Sequence, residues 1–259
     1  MKLAHPMLAS LCLFVAVSAC SDEERAPEGA TSDVTRSLLE QPASDGVSTI
    51  IPSAAPTPDD DGPPVRVSEL GINRGSTEAP VKVVEMSDYG CGYCRQFHQE
   101  TFPALLAEFI ETGMVEWKFV PYITGMWETS LPATSAAECA YQIDAVSFER
   151  LNHRLWNDQR EWKGAGSGAA GVVRSWVTEL NIDMDAFDSC LAGDAHTRRI
   201  SGATTLAAQL AVRGTPTFIV LGAGSYPPIQ GALPLDAFRQ VLTFVHAEAV
   251  AAEGGEEPR

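Results

Sequence analysis

Val81-Lys82-Val83-Val84-Glu85-Met86-Ser87-Asp88-Tyr89-Gly90-Cys91-Gly92-Tyr93-Cys94 is the stretch that decides the fold. Val81 to Met86 is a short β-branched run, which predicts a buried strand. Ser87 to Gly90 reads as a turn. Phe102, Leu105, Leu106, Phe109 and Ile110 then recur at helical spacing, so a helix is predicted from near Cys91 to about Thr112. Pro103 lies inside it and is expected to kink it, and Gly113 to end it. Met114 to Pro121 alternates as a second strand. This strand–helix–strand unit puts both cysteines at the C-terminal edge of the first strand, where open α/β sheets place their sites.

Working outward, residues 129–212 are mostly helical in composition, with breaks at Gly164–Gly168 and around Asn181–Asp185. Thr215 to Leu221 reads as a strand beginning at a proline, Tyr226 to Gln230 as its hairpin partner and Leu235 to Val245 as a closing amphipathic helix. The class is α/β, in the order β-α-β, helical insert, β-β-α. Residues 65–128 and 213–247 form the α/β domain, residues 129–212 the insertion, and residues 248–259 a disordered tail.

The N-terminus sets the compartment. Lys2 precedes an apolar run from Met7 to Val17, too short to span a membrane and laid out as a secretory signal. Val17-Ser18-Ala19-Cys20 resembles the lipobox of bacterial lipoproteins. That likeness implies removal of residues 1–19, lipid on Cys20 and anchoring to the cell envelope, facing the periplasm or the outside. Ser21 after the cysteine resembles an outer-membrane sorting signal of Gram-negative bacteria. An ordinary cleaved signal peptide is the alternative. Residues 20–64, rich in Ala, Pro, Ser, Thr, Asp and Glu, read as a disordered tether. The chain carries 18 basic and 34 acidic residues, a net charge of −16, which argues against binding nucleic acid. Of six cysteines, Cys12 leaves with the signal and Cys20 takes the lipid. Cys91, Cys94, Cys139 and Cys190 remain, an even number that suggests two disulfides in an exported protein.

Two cysteines spaced by two residues at a helix start have a redox rationale. Unpaired backbone N–H groups and the helix dipole favour a thiolate on Cys91. Cys94, one turn further in, is placed to attack a mixed disulfide. Gly92 and Tyr93 between them carry no charge. A metal reading needs two further ligands. His98, four residues after Cys94 on the same helical face, is the one candidate, and it reads otherwise as a partly exposed helix residue. Glu85 ends an apolar strand; buried, its pKa would rise by desolvation and it would relay a proton to or from Cys94. The alternative is an exposed strand-end acid. Pro216, in Arg213-Gly214-Thr215-Pro216-Thr217, suits a strand start. A cis bond there would leave the Thr215 backbone free for an extended peptide; a trans turn is the alternative.

Glu85 to Gly90 followed by CGYC, with GTPTF after a long helical insert, resembles the DsbA-like family of exported thioredoxin-fold oxidoreductases. The likeness spans Val65 to Ala247. It implies a thioredoxin-like fold interrupted by a helical domain, with Cys91 as exposed nucleophile and Cys94 as resolving cysteine. It implies a cis Pro216, substrate contact at Thr215 and beside Gly92 and Tyr93, and a buried acid at Glu85. It also implies a structural disulfide between Cys139 and Cys190, the alternative being two buried thiols. The strongest oxidases of that family carry Pro-His in place of Gly92-Tyr93; CGYC with Thr before the proline is closer to its isomerase branch.

Disulfide oxidation of exported proteins is the leading functional expectation, with no cofactor beyond the Cys91–Cys94 disulfide and no metal. The partners are exported cysteine-containing proteins and a recycling partner in the membrane or periplasm. A reductase or isomerase, a non-enzymatic metal-binding lipoprotein and an interaction protein with a vestigial site are the alternatives.

Overall fold

A computed structural model describes residues 67–224 and 226–254. The signal sequence, Cys20, the tether through residue 64 and residues 255–259 lie outside the described residues. Among the described residues no helix is long and apolar enough to cross a membrane.

Five strands form one sheet in the order β1-β3-β2-β4-β5. They are β1 (Ile72–Arg74), β2 (Val81–Ser87), β3 (Val115–Pro121), β4 (Thr217–Leu221) and β5 (Ile229–Gln230). β2 and β3 run parallel, from Val81 opposite Val115 to Ser87 opposite Pro121. β4 lies antiparallel on the other side of β2, and β5 pairs antiparallel with β4. β1, an edge strand that residue patterning did not reveal, pairs antiparallel with β3. Gly71 before it takes a φ of +64°, and a Cβ there would stand 2.2 Å from the Phe119 carbonyl oxygen. The polar–apolar alternation read into β3 does not translate into one wet face. Glu116 is buried and Lys118 half-buried, because β3 is flanked by β1 and β2 and packed on both sides.

The helical run after Cys91 is one segment of changing pitch. α1 (Gly92–Gln96) passes into a π turn (Phe97–Thr101), then α2 (Phe102–Leu105) and a second π turn (Leu106–Ile110). The kink expected at Pro103 takes this form. Proline lacks the N–H that would continue the α ladder, and the wider turn just before it re-registers the hydrogen bonds. Gly113, with φ of +78°, follows the run.

The insert contains α3 (Ser130–Ile143), α4 (Ala145–Asn157), α5 (Gln159–Gly164), α6 (Ala169–Glu179), α7 (Met184–Ala192) and α8 (Ala195–Gln209). Asp144 caps α4 by accepting from the Val146 and Ser147 N–H groups, and Asp183 caps α7 by accepting from Ala186. Cys139 on α3 and Cys190 on α7 are joined by a disulfide. The closing helix α9 (Leu235–Gly254) buries Phe238, Val241, Leu242, Val245 and Ala249. It outlasts the expected end at Ala247, so residues 248–254 are not a disordered tail. The alanine-rich stretch there favours helix, and buried Ala249 ties it to the core. One apolar cluster unites the sheet, α9 and the insert, with Phe97, Trp117, Trp162 and Trp176 all buried in it.

Candidate active site

Strand β2 and the start of α1 set the two cysteines. Asp88 shapes the turn between them. Its carboxylate accepts from the Gly90 N–H at 2.8 Å, the Thr124 N–H at 2.9 Å and the Ser130 hydroxyl at 2.5 Å. Gly90 has no room for a side chain: a Cβ would stand 2.4 Å from the Ser130 hydroxyl oxygen. The insert reaches back to the same turn. Gln159 donates to the carbonyls of Tyr89 and Cys91 at 2.6 and 2.8 Å, and Lys163 donates to that of Gly90 at 2.6 Å.

Cys91 stands at the N-cap of α1 in an extended conformation. The residue is only 4% exposed, so it is not the exposed cysteine expected from the family resemblance. It forms instead the floor of a cleft of about 660 Å³, lined also by Tyr93, Tyr122, Met126, Trp127 and Thr215. Access to the sulfur is through that cleft. Tyr93 is 68% exposed on its rim and Gly92 is exposed beside it. The Thr215–Pro216 peptide is cis, and the Cys91 thiol donates to the Thr215 carbonyl oxygen at 3.3 Å.

The two thiols differ in acidity. Cys91 is lowered to about 6, first by the hydrogen bond from the Cys94 thiol. Burial opposes this, while the Thr215 side chain and the backbone N–H groups of Cys94 and Tyr93 add to it. Cys94, fully buried, is pushed well above the ordinary thiol value by burial and then by the neighbouring Cys91. A stabilised thiolate beside a protonated, shielded partner is the asymmetry that thiol–disulfide exchange uses.

Glu85 lies beneath the pair, fully buried on β2. Its expected upward shift does not occur. Burial does push the carboxyl up, but the charge and hydrogen bond of His98 and the bonds from Ser87 and Trp117 outweigh it and hold the group low. Ser87 donates to Oε1 at 2.5 Å, His98 Nε2 meets the same oxygen at 2.7 Å, and Trp117 Nε1 donates to Oε2 at 2.9 Å. His98 is therefore not the partly exposed residue expected. Its side chain is 2% exposed, and its ring stacks on Trp156 of α4 at 4.3 Å between centroids. Nor does it meet the cysteines as a metal ligand, since Glu85 occupies its Nε2. Among the described residues, one group of three possible metal ligands converges, Cys139, Cys190 and His196, and its two sulfurs are bonded to each other.

Ser87, Asp88 and Gln159 were not singled out from the sequence. A signal for Ser87 was present, since strand period two puts it on the same face as Glu85. Nothing local marks Gln159, which arrives from the insert.

The sequence model of the thioredoxin family matches residues 68–230, more than half of the chain. The Na(+)/H(+) antiporter NhaA 3 of Salinispora tropica is 31% identical over 186 residues, covering 71% of this chain and 26% of that protein. Disulfide bond formation protein D of Bacillus subtilis is 27% identical over 155 residues, covering 56% of this chain and 65% of its own length. The chain thus spans about a quarter of the first relative and under two thirds of the second. Among solved structures, alpha-DsbA1 of Wolbachia pipientis superimposes with a TM-score of 0.62 at 21% identity, covering 70% of this chain and 92% of that one. At that identity the likeness is one of fold. The match over residues 68–230 shows that the chain belongs to the thioredoxin family, and its helical insert gives it the fold of the DsbA structure.

Proposed function

We propose that this chain oxidises cysteine pairs in exported proteins by passing on the Cys91–Cys94 disulfide. The observation that carries this reading is the low-lying Cys91 thiol against the shielded Cys94 thiol. A thiolate stabilised in the reduced form makes the disulfide a better oxidant. The substrate thiolate attacks Cys91 Sγ from the cleft, a mixed disulfide forms and Cys94 leaves. A second substrate thiolate then attacks the substrate sulfur, releasing an oxidised substrate and the Cys91 thiolate. The Thr215 carbonyl beside Cys91 suits pairing with an extended substrate backbone, with Gly92 and Tyr93 flanking it. Glu85 manages the Cys94 proton. A relative of this chain carries the name disulfide bond formation protein, which agrees with the oxidising direction.

The cycle requires a partner that reoxidises Cys91 and Cys94. On this reading residues 65–128 with 213–247 carry the chemistry, residues 129–212 cover it, and the Cys139–Cys190 bridge is structural. A lipid on Cys20 holds the domain to the envelope, through a tether of residues 20–64.

The deciding experiment is the equilibrium reduction potential of the full chain against glutathione. A value near about −120 mV is that of a strong oxidant; one near about −270 mV is that of a reductant and would reverse the proposed direction.

A further inference from the structure

We propose that Arg95 and Arg213 select the substrate, so that this chain acts preferentially on polypeptides carrying an aspartate or glutamate within about two residues of the reacting cysteine. The inference rests on the oxidoreductase reading and names its substrate class. Both arginines line the cleft over Cys91. Arg95 stands one helical turn beyond Cys91, its backbone N–H bonded to the Cys91 carbonyl at 3.1 Å. Residues four apart share a helix face, so its side chain springs from the face of the nucleophile. Arg213 lies two residues before Thr215, whose carbonyl oxygen is 3.3 Å from Cys91 Sγ. Two cations from separate elements therefore flank the point at which exchange takes place.

Elsewhere in the fold Arg74, Arg154, Arg174, Arg199 and Arg239 each pair with a carboxylate. Among the described residues no ion pair or hydrogen bond joins the side chain of Arg95 or Arg213 to another residue. Arg95 is half-buried, and its Nε is buried without an acceptor. A buried N–H left unpaired is costly. A carboxylate arriving with the substrate supplies the acceptor, and the planar guanidinium can take it in bidentate fashion. Arg213 is exposed on its loop and open to the same group. Glu100, the one carboxylate among the lining residues, accepts instead from Gln96 at 2.9 Å. A substrate extended beside Thr215 advances about 3.3 Å per residue, so a side chain two positions from its cysteine comes level with Arg213. Tyr122, Met126 and Trp127 give the cleft an apolar wall for the residues between. The chain as a whole carries a net charge of −16, and its long-range field draws cationic peptides. A preference for acid therefore has to originate in the cleft.

The test uses reduced dithiol peptides of one sequence, with Glu, Gln or Lys two positions from the first cysteine, oxidised by the disulfide form of the full chain. Each rate constant is divided by that of the same peptide with uncharged 2-hydroxyethyl disulfide, which removes the effect of the neighbouring charge on the peptide's own thiol. The Glu peptide should lead the Lys peptide by about tenfold or more, the effect of a charge-assisted hydrogen bond. With Arg95→Gln and Arg213→Gln combined, that ratio should fall to about one or below, as the overall charge dictates. Arg95→Lys keeps the charge but loses the fork, and should give an intermediate ratio. No lead for the Glu peptide in the unsubstituted chain, or a lead undiminished in the double variant, overturns the selectivity and leaves the oxidoreductase reading standing. Absence of exchange with every peptide overturns that reading and the selectivity with it. Should the double variant fail to fold, Arg213→Gln on its exposed loop decides, and an undiminished ratio there overturns the proposal.

Discussion

The Cys91 sulfur lies 3.3 Å from the carbonyl oxygen of Thr215, a residue 124 positions further along the chain. The contact joins the start of α1 to the loop into β4 at the floor of the cleft. Cys91, rather than Cys94, lines that cleft. Cys94→Ser should therefore accumulate mixed disulfides with exported proteins on Cys91, seen as higher bands on non-reducing gels that vanish with dithiothreitol. Cys91→Ser should give none, because Cys94 is fully buried. Adducts in Cys91→Ser instead would reverse the assignment.

The acidity of Cys91 sets a pH window. Its thiol is lowered to about 6 in the folded reduced chain, so the folded state favours the thiolate. That stabilisation is fully present above the ordinary thiol value and is lost as pH falls through about 6. Cys94 is shifted the other way; its contribution is intact below the ordinary thiol value and is lost only as pH rises above it, outside this window. The reduced chain should gain melting temperature relative to the oxidised chain as pH rises from 5 to 8, roughly the range over which Cys91 ionises. Iodoacetamide alkylation should show one reactive thiol with a midpoint near 6. A midpoint near that of ordinary cysteine would remove the physical basis for the oxidising direction.

The β-α-β unit was legible because β-branched residues in Val81 to Met86 and the helical recurrence from Phe102 to Ile110 are local signals. Ile72–Arg74 is three residues long, too short for any period to register, and it is a strand only because β3 offers it an edge. The burial of His98 escapes the sequence for a similar reason. Its helical position says which face it occupies, but Trp156, 58 positions away and stacked at 4.3 Å between ring centroids, decides that this face is buried. The same fact overturned the upward shift expected of Glu85. Desolvation was foreseeable from an apolar strand, whereas the three donors that outweigh it come from β2, β3 and the helical run together.

The Cys139–Cys190 bridge links α3 to α7 across 51 positions, and neither sulfur lines the cleft. Cys139→Ser should lower stability by about 2–4 kcal/mol while leaving exchange through Cys91 nearly unchanged. Calorimetry and a dithiothreitol reduction assay on the same sample separate the two. A large fall in exchange rate at unchanged melting temperature would assign this bridge to the redox cycle rather than to the frame.

Arg199 of α8 fastens the segment before β1 to the insert. Its guanidinium pairs with Glu138 on α3 and donates to the carbonyls of Glu69 and Gly71, the latter at 2.9 Å. The Glu138 side chain is 3% exposed. Its carboxyl is raised because burial outweighs the attraction of Arg199, so the pair does not repay its own desolvation. Removing one partner and removing both should therefore differ. Arg199→Met should destabilise the chain by about 3–5 kcal/mol, since it strands a buried carboxylate. Arg199→Met with Glu138→Met should recover much of that loss. A folded-state value above the unfolded one favours the protonated acid, so this group's contribution is intact at low pH and lost as pH rises through the raised value. The Arg199→Met penalty should accordingly be smaller in acid than at neutral pH. Equal penalties at both pH values, or a double variant as unstable as the single one, would locate the role of Arg199 in its two carbonyl bonds instead of in Glu138.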